Sequence, residues 1–177
     1  MNKVVTLVKP SIKYIDQIYN YRDSFIKNKE FIHGSSSLEN YSDLNEWFKK
    51  LEIMENINTV PACHVPSSTY LLITEDDILI GMVSIRHNLN DNLKIIGGHI
   101  GYSIHPKYRK KGYGTVQLSL ALEECKKLNI NKALITCSST NIGSKKIIEK
   151  NNGKYLDSTQ IKDEIVERYW IELWSQR

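Results

Sequence analysis

Apolar positions along the chain change their spacing twice, and each change marks a different kind of element. A short apolar block, Val4–Val8, reads as a strand closed by Pro10. Ile12, Ile15, Ile18, Tyr19 and Phe25 then recur at helical spacing, which predicts a helix over Ser11–Lys29. Leu44, Trp47, Phe48 and Leu51 share one face of a second predicted helix, Asp43–Met54. Between them FIHGSSSLENYS is polar and turn-like, and NINTVPACHVPSS after the second helix is a proline-bearing loop, a candidate lip for a substrate cleft.

Dense apolar runs follow. Thr69–Glu75 and Ile78–His87 flank Asp76-Asp77 and read as a hairpin, NLNDNLK as a loop, and Gly97–Ile104 as a third strand stopped by Pro106. Helical spacing returns over Gly114–Leu128, where Leu118, Leu122 and Cys125 share a face, then comes the strand Lys132–Ser138 and the short helix Ile142–Lys150, with Asn151-Asn152-Gly153 as its left-handed end. Lys154–Ser158 and Ile165–Leu173 close the chain as strands. Gly97–Ile104, the helix and Lys132–Ser138 form a βαβ unit, so those two strands are expected to be parallel. The fold class is α/β (α+β): a mixed, mostly antiparallel sheet of six to seven strands flanked by helices, one domain over residues 1–177.

The chain has 177 residues, 41% hydrophobic and 25% charged, which fits one folded domain with a full core. Its net charge of +4 is too mild for a nucleic-acid stripe, and much of it sits at Lys107, Arg109, Lys110 and Lys111, which suits a small anionic ligand. Three cysteines, Cys63, Cys125 and Cys137, lack metal or disulfide spacing and read as reduced thiols of a cytoplasmic protein, with no metal expected. The run in MNKVVTLVKP is too short for a signal segment, and no apolar run is long enough for the membrane.

RKKGYG, Arg109–Gly114, places three cations and two glycines where a strand passes into a helix. A helix N-terminus offers unpaired N–H groups and partial positive charge, a ready anion site, and the two glycines would keep side chains away from those amides. The phosphate loop of nucleotide triphosphatases needs a Lys that is missing after Gly114. The dinucleotide fingerprint needs a third Gly where Gln117 stands.

Arg109-x-x-Gly112-x-Gly114 after Ile104-His105-Pro106 resembles the acetyl-CoA signature of the GNAT N-acetyltransferase superfamily, and Asn141, Ser144 and Glu149-Lys150 before Gly153 resemble its second block. The order of elements agrees along nearly the whole chain. IRHNLN, GGHIGYSIHPKYRKKGYG and RYWIEL are similar to a bacterial subgroup of that superfamily. The resemblance implies acetyl transfer from acetyl-CoA to an amine, on a small molecule or a protein, and a splayed parallel strand pair that holds the cofactor. It assigns the pantetheine arm to the backbone of Tyr102, Ser103 and Ile104, the pyrophosphate to Arg109, Lys110, Lys111, Gly112, Tyr113, Gly114 and Thr115, and further contacts to Asn141 and Ser144.

One position departs. Many relatives carry a Tyr seven residues after the Asn as proton donor to the leaving thiolate; here it is Ile148. Cys137, Ser144 and Tyr155 are the remaining candidates. His99, and His87 as second choice, are candidate bases because imidazole titrates near neutrality. Arg86, His87 and Tyr169 are candidate substrate contacts, Arg86 through a carboxylate. Nucleic acid and membrane are not expected partners, and the closing WIELW strand suits a homodimer. The missing Tyr leaves open a domain that binds acyl-CoA without turnover.

Overall fold

The computed structural model describes residues 4–174. Seven strands form two sheets. In the first, β1 (Val5–Val8), β2 (Ser67–Thr74), β3 (Leu79–Arg86) and β4 (Ile100–Ile104) lie in chain order, each antiparallel to the next. In the second, β5 (Lys132–Ser138) pairs with β7 (Glu164–Glu172), and β7 with β6 (Lys154–Ile161), all antiparallel. The third meander strand and Lys132–Ser138, expected as a splayed parallel pair, meet at His99 and Leu134 and then separate, each in its own sheet.

Helices cover both faces of the first sheet. α1 (Ile15–Lys27) follows a single 3-10 turn, and α2 (Leu44–Glu55) starts at Asp43, whose carboxylate accepts from the N–H of Asn45 at 2.8 Å. Ile18, Tyr21, Phe25 and Trp47 close a core with Leu71, Ile73 and Met82 of the sheet. On the other face α4 (Tyr113–Lys127) and α5 (Ile142–Lys150) bury Leu118, Ala121, Leu122 and Ile148 against Val83, Ile85, Ile135 and Tyr169. Each such aliphatic side chain stabilises the fold by about 1.5–3 kcal/mol when fully buried.

Two segments differ from their sequence reading. NLNDNLK is not all loop: Asn90 caps one helical turn, α3 (Asp91–Ile95), by accepting from the N–H of Leu93 at 2.9 Å. Gly97 and Gly98 do not extend the strand. Their φ angles of +104° and +59° turn the chain, and β4 begins only at Ile100. The end of α5 follows the sequence reading: Asn152 (φ +63°) is the left-handed residue of the Asn151-Asn152-Gly153 cap, and the N–H of Gly153 returns to the carbonyl of Ile148 at 2.9 Å.

Candidate active site

His99 joins the two sheets. Its carbonyl accepts from the N–H of Arg86 at 2.8 Å, while its N–H donates to the carbonyl of Leu134 at 2.7 Å. Its Nδ1 accepts from the N–H of Leu134 at 2.9 Å. The ring is buried; that burial first, and the charge of Arg86 second, push it down to about 4. The lone pair that a base would use is thus spent on the backbone, and the ring acts as a peg at the point where β4 and β5 part.

Beyond that peg β4 has a free edge. Its register sets Met82 against Ser103 and Val83 against Tyr102, and the N–H of His105 donates to Ile80 at 2.9 Å. Alternation then turns the backbone groups of Ile100, Tyr102 and Ile104 away from β3 and toward the gap before β5. Ser103 differs from its neighbours: its backbone faces β3, and its hydroxyl meets the Tyr21 hydroxyl at 3.0 Å. A strand edge of this kind fits an arm that carries amide groups.

The basic loop lies past the end of β4. Gly112 (φ +84°) is the left-handed residue from which α4 starts, and Lys110 (φ +60°) precedes it. Among the described residues no protein acceptor takes the N–H groups of Lys110, Lys111, Gly112, Tyr113 or Gly114. That cradle fits a diphosphate. Gly114 serves packing: a Cβ there would lie 2.6 Å from Cδ1 of Ile147, so its small size lets α5 approach α4. Tyr113 is likewise packed into the core beside Leu72 and Ile80, whereas Thr115 is half-buried in the first turn. Arg109 is tied down on both sides, through Nε to the carbonyl of Ile104 at 3.0 Å and by an ion pair to Glu30.

On the α5 side of the gap the Tyr102 hydroxyl lies 2.8 Å from that of Ser144. Asn141 caps α5, its side chain accepting from the N–H of Ser144 at 3.0 Å, which sets the serine in place. Burial raises the Tyr102 phenol well above its ordinary value. Burial first and the Glu167 carboxylate second push the neighbouring Cys137 thiol up to about 11, so it stays protonated. Ile148 is wholly buried in the core, against Gly153.

The sequence model of the acetyltransferase (GNAT) domain family matches residues 5–154. The chain belongs to the GNAT acetyltransferase family. Solved structures share its fold along nearly its whole length. A ribosomal L7/L12 α-N-protein acetyltransferase in complex with coenzyme A is 14% identical with a TM-score of 0.67, covering 97% of this chain and 95% of its own. A putative ribosomal-protein-serine acetyltransferase from Vibrio cholerae is 14% identical, with a TM-score of 0.65 and coverage of 97% and 95%. A putative acetyltransferase from Salmonella typhimurium with acetyl-CoA is 12% identical, with a TM-score of 0.62 and coverage of 97% and 95%. A search of the curated proteins finds no match.

In this GNAT chain the remaining candidates are dispersed. Arg86 donates from one terminal nitrogen to the carbonyls of Gly97 and Gly98 at 3.1 and 3.0 Å, and so holds the turn before β4. His87 meets the Ser68 hydroxyl at 2.9 Å, and Ser68 donates to Glu55 at 2.7 Å. Glu55 and His87, with Glu52, Asn56, Ile57 and Pro66, line a cavity of about 600 Å³ where β2 begins and β3 ends. Tyr169 is buried and donates to the Glu167 carboxylate, which also pairs with Lys145 at 2.9 Å. Tyr155 is exposed on the outer strand β6, separated from β5 by β7.

The sequence reading missed three features. The Tyr102 side chain joins the Ser144 pair, although only its backbone was considered. Glu30 holds Arg109. The loop at His33–Ser37 lies on β4: a Cβ at Gly34 would fall 2.2 Å from the carbonyl oxygen of Gly101. A Gly-Ser-Ser-Ser run was the only trace of that contact in the sequence. Among the described residues no helix is long and apolar enough to cross a membrane, and no cluster of His, Cys, Asp and Glu suits a metal.

Proposed function

We propose that the protein transfers an acetyl group from acetyl-CoA to a primary amine by direct attack in a ternary complex. The observation that carries this reading is the pairing of a free β4 edge with unpaired amides at the start of α4, on one side of a gap between two sheets. The backbone of Tyr102 and Ile104 would pair with the pantetheine arm, and the amides of residues 110–114 would receive the pyrophosphate. When bound, acetyl-CoA supplies an activated thioester. The Ile104 N–H faces the same gap and would stabilise charge that develops on the carbonyl oxygen. The Tyr102–Ser144 hydroxyl pair, kept protonated by burial, would hand a proton to the departing thiolate in place of the Tyr that Ile148 replaces.

The acceptor is an amine of a small molecule or of a protein. A solved neighbour of this fold is a chimeric spermidine N-acetyltransferase, 17% identical with a TM-score of 0.64 and coverage of 96% and 95%, and another, described above, is a ribosomal-protein acetyltransferase, so both classes belong in the test. Buried Ile148 favours a second reading, an acyl-CoA-binding domain without turnover. Calorimetry with acetyl-CoA, followed by thiol release with spermidine and with peptides bearing a free amino terminus, separates the two. Tight binding with no thiol from any amine supports the second. Loss of turnover by about 100-fold or more in Tyr102→Phe, with binding kept, supports the first.

A further inference from the structure

We propose that His33 is the proton acceptor for the incoming amine, held over β4 by the contact between Gly34 and Gly101. The inference rests on the amine-acetylating reading above. Three observations place the residue. The Gly34–Gly101 contact leaves no room for a Cβ, which sets the loop directly against the strand whose free edge would hold the acetyl donor. A Cβ built on Gly101 would sit 3.6 Å from Cα of Gly34 and 3.9 Å from a terminal nitrogen of Arg86, so the loop and Arg86 converge on one face of β4. That is the face opposite Tyr102 and Ser144, as strand alternation requires.

The loop is also tied to α2. Gly34, Ser36 and Ser37 all have positive φ, at +74°, +55° and +62°. Two side chains of α2 hold them there: Trp47 donates to the carbonyl of Ser35 at 2.9 Å and Lys50 to that of Ser36 at 2.7 Å. Strained backbone fixed from outside is the mark of a segment kept for a purpose. His33 itself is exposed, edge-on to Phe31 with ring centroids 4.8 Å apart. The charged groups that act on it come from three elements: Glu39 of its own loop, Glu164 of β7 and Arg86 of β3. The ring is thus within electrostatic reach of β3 and β7 as well as of its own loop, and the neighbouring Gly34 sets it beside Gly101 of β4. Desolvation chiefly holds its pKa below the ordinary value, which favours the neutral ring that can take a proton. Glu39 and Glu164 favour the imidazolium that follows.

The step balances. An acceptor ammonium gives one N–H proton to the imidazole, and the freed lone pair forms the C–N bond to the thioester carbonyl carbon. The C–S bond breaks, and the second N–H proton replaces the one that Tyr102 and Ser144 pass to sulfur. The imidazolium then loses its proton to water. The products are the amide, the free thiol and one proton.

The test is thiol release from acetyl-CoA with spermidine and with amino-terminal peptides, from pH 5.5 to 9.5, for wild type and His33→Gln, beside calorimetric acetyl-CoA affinity. The expected result is a fall in kcat/KM of about 100-fold at pH 7 with unchanged acetyl-CoA affinity. The gap should narrow at high pH, because an amine of pKa near about 10 then deprotonates without help. Added imidazole should restore part of the activity of His33→Ala. An unchanged kcat/KM, or an equal loss at every pH without rescue, overturns the role of His33 and leaves acetyl transfer standing. Intact acetyl-CoA binding by the wild type with no thiol released overturns acetyl transfer, and the role of His33 with it.

Discussion

Glu30 is ion-paired with Arg109, and the same guanidinium donates through Nε to the carbonyl of Ile104 at 3.0 Å. One side chain thereby links the end of α1, the end of β4 and the start of the α4 loop. Both partners are partly exposed, so the ion pair itself adds less than about 1 kcal/mol. The geometry matters more, because the fork fixes the angle at which the α4 amides leave the strand. Arg109→Lys keeps the charge and loses the Nε bond. It should weaken acetyl-CoA binding by about tenfold, the equivalent of one charge-assisted hydrogen bond, while Glu30→Gln should weaken it less. Calorimetry on the two variants decides; equal affinity in Arg109→Lys would show that only charge counts there.

His99 makes the fold sensitive to acid. Its folded pKa of about 4 lies below the ordinary 6.5, so folding favours the neutral ring. Its stabilising effect is complete above pH 6.5 and is lost as pH falls toward 4. A shift of that size corresponds to about 3 kcal/mol. His33, His87 and His105 shift in the same direction, all led by desolvation, and add to the slope. Thermal unfolding should therefore show Tm falling steeply from pH 6.5 to 4, and His99→Gln, less stable at pH 7.5, should show a shallower fall. Parallel curves for the two proteins would refute the peg.

The elements were legible in the sequence where period and punctuation agreed. Trp47, Leu44 and Leu51 marked α2, and Pro106 and Gly112 marked the passage from β4 to α4. The division of the strands into two sheets was not legible in the residue pattern, because it depends on where a ladder stops; only the family resemblance carried the splayed pair. The roles of polar side chains were also hidden. His99 carries no sign that its Nδ1 faces the N–H of Leu134, nor does Tyr102 show that Ser144 lies 42 positions away in the chain at 2.8 Å. Such pairings are set by the packing of whole elements. Gly114 shows the same limit: a glycine at a helix start suits an anion and a helix contact equally well, and nothing in the sequence shows that Ile147 packs against it.

That contact gives a direct test. Gly114→Ala brings its Cβ to 2.6 Å from Cδ1 of Ile147, the mobile end of a side chain. Overpacking should cost about 1–3 kcal/mol, partly offset by about 1 kcal/mol of improved helix propensity. Ile147→Val removes the colliding atom, so the pair Gly114→Ala with Ile147→Val should be more stable than the sum of the single changes predicts. Additive Tm shifts would mean that the two helices do not meet at this point.

Gln117 occupies the inner face of α4, fully buried, and among the described residues neither its Nε2 nor its Oε1 has a hydrogen-bond partner. It lies close to β3, where a Cβ on Gly81 would be 2.7 Å from Nε2. An unpaired buried amide costs about 1–3 kcal/mol, and leucine offers a similar volume without that cost. Gln117→Leu should therefore raise Tm by about 2–4 °C for each kcal/mol recovered in a chain of this size. Acetyl-CoA affinity should stay constant, since the amide is buried against Gly81 of β3 and is not one of the groups assigned to the cofactor. A fall in Tm would instead mean that a buried water satisfies the amide, and that water would then belong to the packing between α4 and the first sheet.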